Sequence, residues 1–181
     1  MLSELRITNL GVIAEADLEL HPGFTVVTGE TGAGKTMVVS SLQLLTGQRA
    51  DSSQVRNTAD EDISEARVEG RFYVDGLPDE LAHQTSELLA GCGAETDDDE
   101  SIIALRTIRS DGRSRAHLGG RSVPAGILAE FSRPLLTIHG QHDQLRLLSS
   151  AQQREALDQY GGDEISAVSY THLTLPKNYS L

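Results

Sequence analysis

Gly29-Glu30-Thr31-Gly32-Ala33-Gly34-Lys35-Thr36 fits the phosphate-binding pattern G-x-x-x-x-G-K-[ST] at every fixed position. The glycines let the backbone curl so that successive N–H groups point inward at an anion. Of the 15 basic residues only Lys35 and Lys177 are lysine, so arginine is the default cation of this chain. A lysine stands at the one position where a compact charge must reach phosphate oxygens. The pattern therefore points to a bound nucleoside triphosphate. Gly29, Glu30, Thr31, Gly32, Ala33, Gly34, Lys35 and Thr36 are its binding residues. Lys35 reaches the β- and γ-phosphates, and the Thr36 hydroxyl is a ligand for Mg²⁺.

The flanks carry the context that such a loop requires. Residues 24–28 form a short, nearly all-apolar run that reads as a strand buried on both faces. Residues 35–45 read as a helix with an apolar stripe of Met37, Val38, Leu42, Leu44 and Leu45, stopping at Gly47. Upstream, Leu5 and Ile7 suggest a strand, residues 9–11 a turn, and the alternation over residues 14–20 a second strand paired with the first. Downstream, residues 51–65 read as a polar loop, residues 66–75 alternate as a strand, and Pro78-Asp79 opens a helix. Residues 101–109 and 113–118 form two strands joined at Asp111-Gly112, a good hairpin turn. A short helix at residues 124–131, another buried strand at 135–138 and a helix from Ser150 to Tyr160 complete the reading. The class is α/β, a P-loop fold with antiparallel hairpins beside a mixed sheet.

Composition narrows the partners. At 181 residues and 38% hydrophobic content the chain can bury one core, and with 4% aromatics that core must be mainly aliphatic. A net charge of −12 argues against binding a polyanion by bulk electrostatics, so any nucleic-acid contact needs a local patch. The single Cys92 excludes an internal disulfide and a cysteine-rich metal site, and reads as a small residue near a helix end. No apolar run approaches the roughly 18 residues of a membrane span, and the N-terminus lacks signal-peptide features. These point to a cytoplasmic protein with no membrane partner.

A P-loop alone does not name a reaction. Residues 135–143 run from a buried strand into a polar turn, where Gln141 either reaches Mg²⁺ or the attacking water, or is an ordinary loop glutamine. His139 and His142 lie three apart with no further ligand at a suitable spacing, which argues against zinc. Arg113, Arg115 and Arg121 on the second hairpin form either a basic patch for DNA or a partner, or a solvated strand face.

Several stretches together resemble the N-terminal part of the RecN family of bacterial DNA repair proteins, relatives of the SMC proteins with an ABC-type ATPase head. They are Leu5-Arg6-Ile7-Thr8-Asn9-Leu10-Gly11-Val12-Ile13, the P-loop, Gly47-Gln48-Arg49-Ala50-Asp51, Gly112-Arg113-Ser114-Arg115-Ala116 and Ile138-His139-Gly140-Gln141-His142. The resemblance implies the N-terminal lobe of such a head over residues 1–165. It implies ATP and Mg²⁺ as cofactors and Gln141 as the Q-loop glutamine, catalytic and metal-binding, with Arg6 and Asn9 in a segment near the nucleotide. The implied partners are the C-terminal half of the head, a second head protomer and DNA, and the implied role is double-strand-break repair by ATP-gated head engagement.

The Walker B Asp-Glu and the serine-glycine-glycine signature of such heads do not occur. Phe72-Tyr73-Val74-Asp75 is the nearest Walker B candidate and lacks the following glutamate. The chain is thus expected to turn over little or no ATP alone. Residues 166–181 do not resemble the family and are expected to be a disordered tail. The alternatives are a small P-loop kinase or other stand-alone P-loop NTPase, and a non-catalytic interaction fragment.

Overall fold

The strand β1 (Leu2–Leu10) buries Leu5, Ile7 and Leu10 on one face and leaves Arg6 in solvent on the other. That alternation fixes the register of its neighbours, because a slip of one residue would turn the apolar set outward. The antiparallel partner β2 (Ile13–Glu19) sets Ala16 opposite Ile7 and Leu18 opposite Leu5. On the other side β3 (Glu65–Tyr73) sets Val68 opposite Ile7.

This is a computed structural model, and it describes residues 1–30, 32, 34–57 and 63–138, all within the unit Met1–Ile138. Three more strands, β4 (Ser101–Arg109), β5 (Ser114–Leu118) and β6 (Arg121–Val123), extend the sheet to the order β2-β1-β3-β4-β5-β6, antiparallel throughout. The β4–β5 hairpin turns at Asp111-Gly112 as the sequence predicts, and Asp111 Oδ1 accepts a 3.0 Å bond from the Arg113 amide.

One face of the sheet carries the core. The helix α1 (Lys35–Leu45) crosses β1, β3 and β4 with Ser41, Leu44 and Leu45 buried beneath it. The short helix α3 (Ala125–Ser132) covers β5, and Phe131 meets Phe72 edge-on at 5.4 Å between ring centroids. The buried Ser132 hydroxyl reaches the Leu45 carbonyl at 2.8 Å, tying the end of α1 to α3. The helix α2 (Asp79–Cys92) starts after Pro78 with Asp79 and Glu80 in its first turn, where acidic groups suit the dipole, and ends at the left-handed Gly93. Cys92 is half-buried at that end. Among the described residues the one buried charge is Arg106, whose guanidinium donates to Ser114 Oγ at 3.1 Å; burial pulls its pKa down.

Two expected strands are not there. Residues 24–30 have no regular structure, with Phe24 85% and Val26 60% exposed, and residues 135–138 follow α3 as the end of a turn and three residues without regular structure. An all-apolar strand is stable only between neighbours that satisfy both of its edges and cover both of its faces. The six described strands give residues 24–28 neither. The helix from residue 150 and the tail 166–181 lie outside the described residues.

Candidate nucleotide-binding site

The loop and the start of α1 form one local structure. Gly34 is the N-cap of α1 in the left-handed region, at φ 98°, and Gly32 lies there too, at φ 87°. Gly34 is also pressed against the sheet: a side chain there would begin 3.1 Å from Ile13 Cγ1 and 3.4 Å from Val12 Cγ2. The backbone conformation is one that side chains rarely adopt, and a Cβ there would crowd the Ile13 and Val12 side chains.

The Lys35 ammonium folds back over the loop and donates to the carbonyls of Gly29 (2.5 Å) and Glu30 (2.6 Å). It makes no ion pair with the described carboxylates, so its charge remains uncompensated at the loop. The helix end beside it has no side-chain cap and no acidic residue in its first turn. Its first N–H groups and the positive end of its dipole are therefore available to an anion. Thr36 is exposed in that same first turn. Ammonium, helix amides and hydroxyl fall within one loop and the helix turn after it, and this donor set fits the chemistry of a polyphosphate.

The expected site residues separate as follows. Gly29, Glu30, Gly32, Gly34, Lys35 and Thr36 are brought together. Thr31, Ala33 and Gln141 lie outside the described residues, as do His139 and His142. Asn9 sits near the end of β1, with φ 55°. Arg6 is on the sheet face away from α1, held at 2.6 Å by Asp17, and that bond raises its pKa. Arg113 and Arg115 lie on the outer face near the hairpin turn. Arg121, in register with the buried Leu118, lies on the opposite face and bonds to the Gly93 carbonyl (2.9 Å) and Glu95 (3.3 Å). The three arginines are therefore not one patch: the Gly119-Gly120 turn reverses the alternation.

Two neighbours of the loop escaped the sequence reading. Val12 and Ile13 support Gly34, and Arg56, in a stretch that reads as a polar loop, bonds to the Val12 carbonyl at 2.7 Å. The Asn9-Leu10-Gly11 turn signal marked the first of these regions; nothing in the pattern around Arg56 marked the second.

Residues 4–159 match the AAA_23 family model, described as an AAA domain. The chain belongs to that family. It also resembles DNA repair protein RecN, being 54% identical over 160 residues to that of Mycobacterium tuberculosis and 50% over 173 residues to that of Mycobacterium leprae. The Bacillus subtilis RecN is 35% identical over 172 residues. These matches take in 88%, 96% and 95% of this chain but 27%, 29% and 28% of the relatives. The chain thus spans little more than a quarter of their length and is homologous to their N-terminal part.

Solved structures agree on the fold of this AAA domain. The Pyrococcus furiosus Smc head bound to a domain of ScpA superposes with a TM-score of 0.62 at 16% identity, covering 82% of this chain and 38% of that one. The recombination mediator RecF with ATP gives 0.55 at 15% identity, covering 87% and 37%. An SMC ATPase chain solved in connection with ATP-driven dimerization gives 0.59 at 17% identity, covering 86% and 95%. The P-loop ATPase fold of SMC-like and RecF-like heads is therefore the fold of this chain. No helix among the described residues is long and apolar enough to cross a membrane.

Proposed function

We propose that this chain is the ATP-binding half of a RecN-like ATPase head that acts in the repair of DNA double-strand breaks. One observation carries the reading: the Lys35 ammonium and the uncapped start of α1 lie on a loop whose last glycine, Gly34, has a left-handed backbone and sits against Val12 and Ile13. The homology to the N-terminal part of RecN supplies the biological setting.

Within that reading the residues divide the work. The amides of the loop and of α1 surround the phosphates, and the Lys35 ammonium exchanges its carbonyl partners for β- and γ-phosphate oxygens. Together with Gln141, the Thr36 hydroxyl would hold Mg²⁺, an ion that keeps several waters and takes few protein ligands. Gln141 acts at the same ion and the attacking water. Mg²⁺, when bound, would supply charge neutralisation at the phosphates.

Hydrolysis needs a Walker B carboxylate and a signature motif, which this sequence lacks, so we assign them to the C-terminal half of the head and to a second protomer. Residues 24–28 are the apolar strand that the first of these would complete. DNA contact falls to local basic residues such as Arg113 and Arg115, because the net charge of −12 opposes it.

Calorimetry with Mg-ATP on the wild type and Lys35→Ala tests the site. The variant is expected to bind at least about ten-fold more weakly, a loss of ~1.4 kcal/mol. Equal affinity would remove the nucleotide site and the function built on it.

A further inference from the structure

Along α2, Leu81, Thr85, Leu88 and Cys92 recur at steps of four, three and four, so they share one helix face. Of these only Thr85 is buried; Leu81, Leu88 and Cys92 are half-buried. The helix α3 is divided in the same way. Its Leu128, Ala129 and Ser132 are buried, whereas Ile127 is half-buried and Glu130 exposed, and these last two, three apart, line a cleft that α2 also lines. The cleft holds about 780 Å³ and has the buried Thr85, Val123 and Phe131 in its lining, with Leu81, Leu88 and Ile127 adding apolar wall. Both helices thus keep an apolar flank that their own packing leaves uncovered.

The charges of the cleft have one sign. Its lining contains no lysine or arginine, and its two charged residues are Glu87 from α2 and Glu130 from α3. Both are exposed. Among the described residues Glu130 makes no ion pair, and Glu87 meets only the His83 imidazole, 3.6 Å away. An apolar floor between two unneutralised carboxylates asks for an occupant that is apolar along its middle and cationic at its flanks. The openness of the site chooses between a small molecule and a polypeptide. A small ligand is held by burying most of its surface, but Gln84, Glu87, Ser122, Pro124 and Glu130 all lie open to solvent around this cleft. An amphipathic helix laid between two helices needs no such enclosure, because it buries one stripe and leaves its flanks to the rim.

We infer that the cleft between α2 and α3 is a docking surface for a basic amphipathic helix of another polypeptide. The apolar stripe of that helix seats on Leu81, Leu88, Ile127 and Phe131, and its lysines or arginines pair with Glu87 and Glu130. None of the residues that line the cleft belongs to the phosphate loop or to α1, so this surface stands independently of the nucleotide site.

Cys92 lines the cleft and is the single cysteine of the sequence, so its alkylation reports on this site alone. The test follows its reaction with N-ethylmaleimide in the whole 181-residue chain, with a synthetic helical peptide carrying a leucine stripe flanked by lysines. At a peptide concentration about ten times its Kd, alkylation is expected to slow about ten-fold. The counterpart peptide with glutamate in place of every lysine is expected to give no protection. Glu87→Lys combined with Glu130→Lys should weaken the basic peptide about ten-fold, because two attractions become repulsions. Glu15→Lys combined with Asp98→Lys makes the same change in net charge at exposed residues that do not line the cleft, and should weaken it no more than about two-fold. Equal losses in the two pairs would reduce the attraction to bulk charge and overturn the site. Protection by the acidic peptide as strong as by the basic one overturns it in the wild type, where no variant has to fold. Alkylation unaffected by the basic peptide would show that the cleft takes no such helix. Protection that rises with protein concentration in the absence of peptide would assign the cleft to a second copy of this chain, and the proposal would fall.

Discussion

Phe72 stands in an alternating strand and Phe24 in a more uniformly apolar run, yet the structure buries the first completely and leaves the second 85% exposed. Phe72 lies in β3, with a hydrogen-bonded neighbour on each side and α1 and α3 above its face. Phe24 leads into the phosphate loop with no described strand beside it. The antiparallel sheet and its helices therefore bury their own apolar face, whereas the run that leads into the loop finds no such cover among the described residues. Local apolar content sets how much burial a segment needs, and its neighbours decide whether it gets it.

The largest effect that would sharpen this contrast is Phe72→Ala. It removes a fully buried ring and its edge-on contact with Phe131, so unfolding in urea should show a loss of about 4 kcal/mol. A loss under about 1 kcal/mol would mean that the core of β3, α1 and α3 is not closed in solution.

Ser132→Ala comes next. The hydroxyl is buried and donates to the Leu45 or Leu128 carbonyl, and the first of these bonds fastens α1 to α3. The expected cost is ~1 kcal/mol by urea unfolding, since Leu45 keeps its packing and loses one partner. No change would show that α3 is held by apolar contact alone.

These effects fall where the sequence was most legible. The alternation of Leu5 and Ile7, of Val68 and Phe72, and of Ile102, Ala104 and Ile108 reports its own burial, because period two and a solvent face are local properties. The Asp111-Gly112 turn and the Pro78 start of α2 were local too. The P-loop was legible for the same reason, since its fixed positions are contiguous.

The run at residues 24–28 reads equally well as a buried strand, and there the reading failed, because burial on both faces is a statement about other segments. Arg56 was illegible for a related reason. It bonds to a carbonyl 44 residues away, and no spacing rule encodes that. Arg121 was a missed opportunity, since counting the Gly119-Gly120 turn would have placed it opposite Arg113 and Arg115.

A pH effect should be smaller and confined to the self-sufficient region. Asp99 accepts bonds from the Ser101 hydroxyl (2.6 Å) and amide (3.1 Å) and from the Tyr73 hydroxyl (3.3 Å). The Ser101 hydroxyl first, then its amide, hold this carboxylate below its ordinary pKa. Its folded value is thus lower than its unfolded value of about 3.9, so the stability it contributes is complete above about pH 5 and disappears as pH falls through the folded value. The melting temperature of wild type minus Asp99→Asn should be flat above about pH 5 and shrink below about pH 4. A difference that grows on acidification would reverse the assignment.

The smallest expected change in stability is the one that tests the contrast most directly. Phe24→Ser combined with Val26→Thr removes apolar surface that is already in solvent, so unfolding should change by no more than about 0.5 kcal/mol. The same pair should reduce self-association in sedimentation velocity, because contiguous exposed apolar side chains with unpaired strand edges are the groups that drive it. A loss of more than about 2 kcal/mol, on the scale of burying a large side chain, would show that residues 24–28 are packed in the isolated chain. The boundary between the self-sufficient sheet and the dependent loop strand would then have to move. A small change in stability without any change in association would keep that boundary and remove the claim that the exposed run is the sticky surface of the molecule.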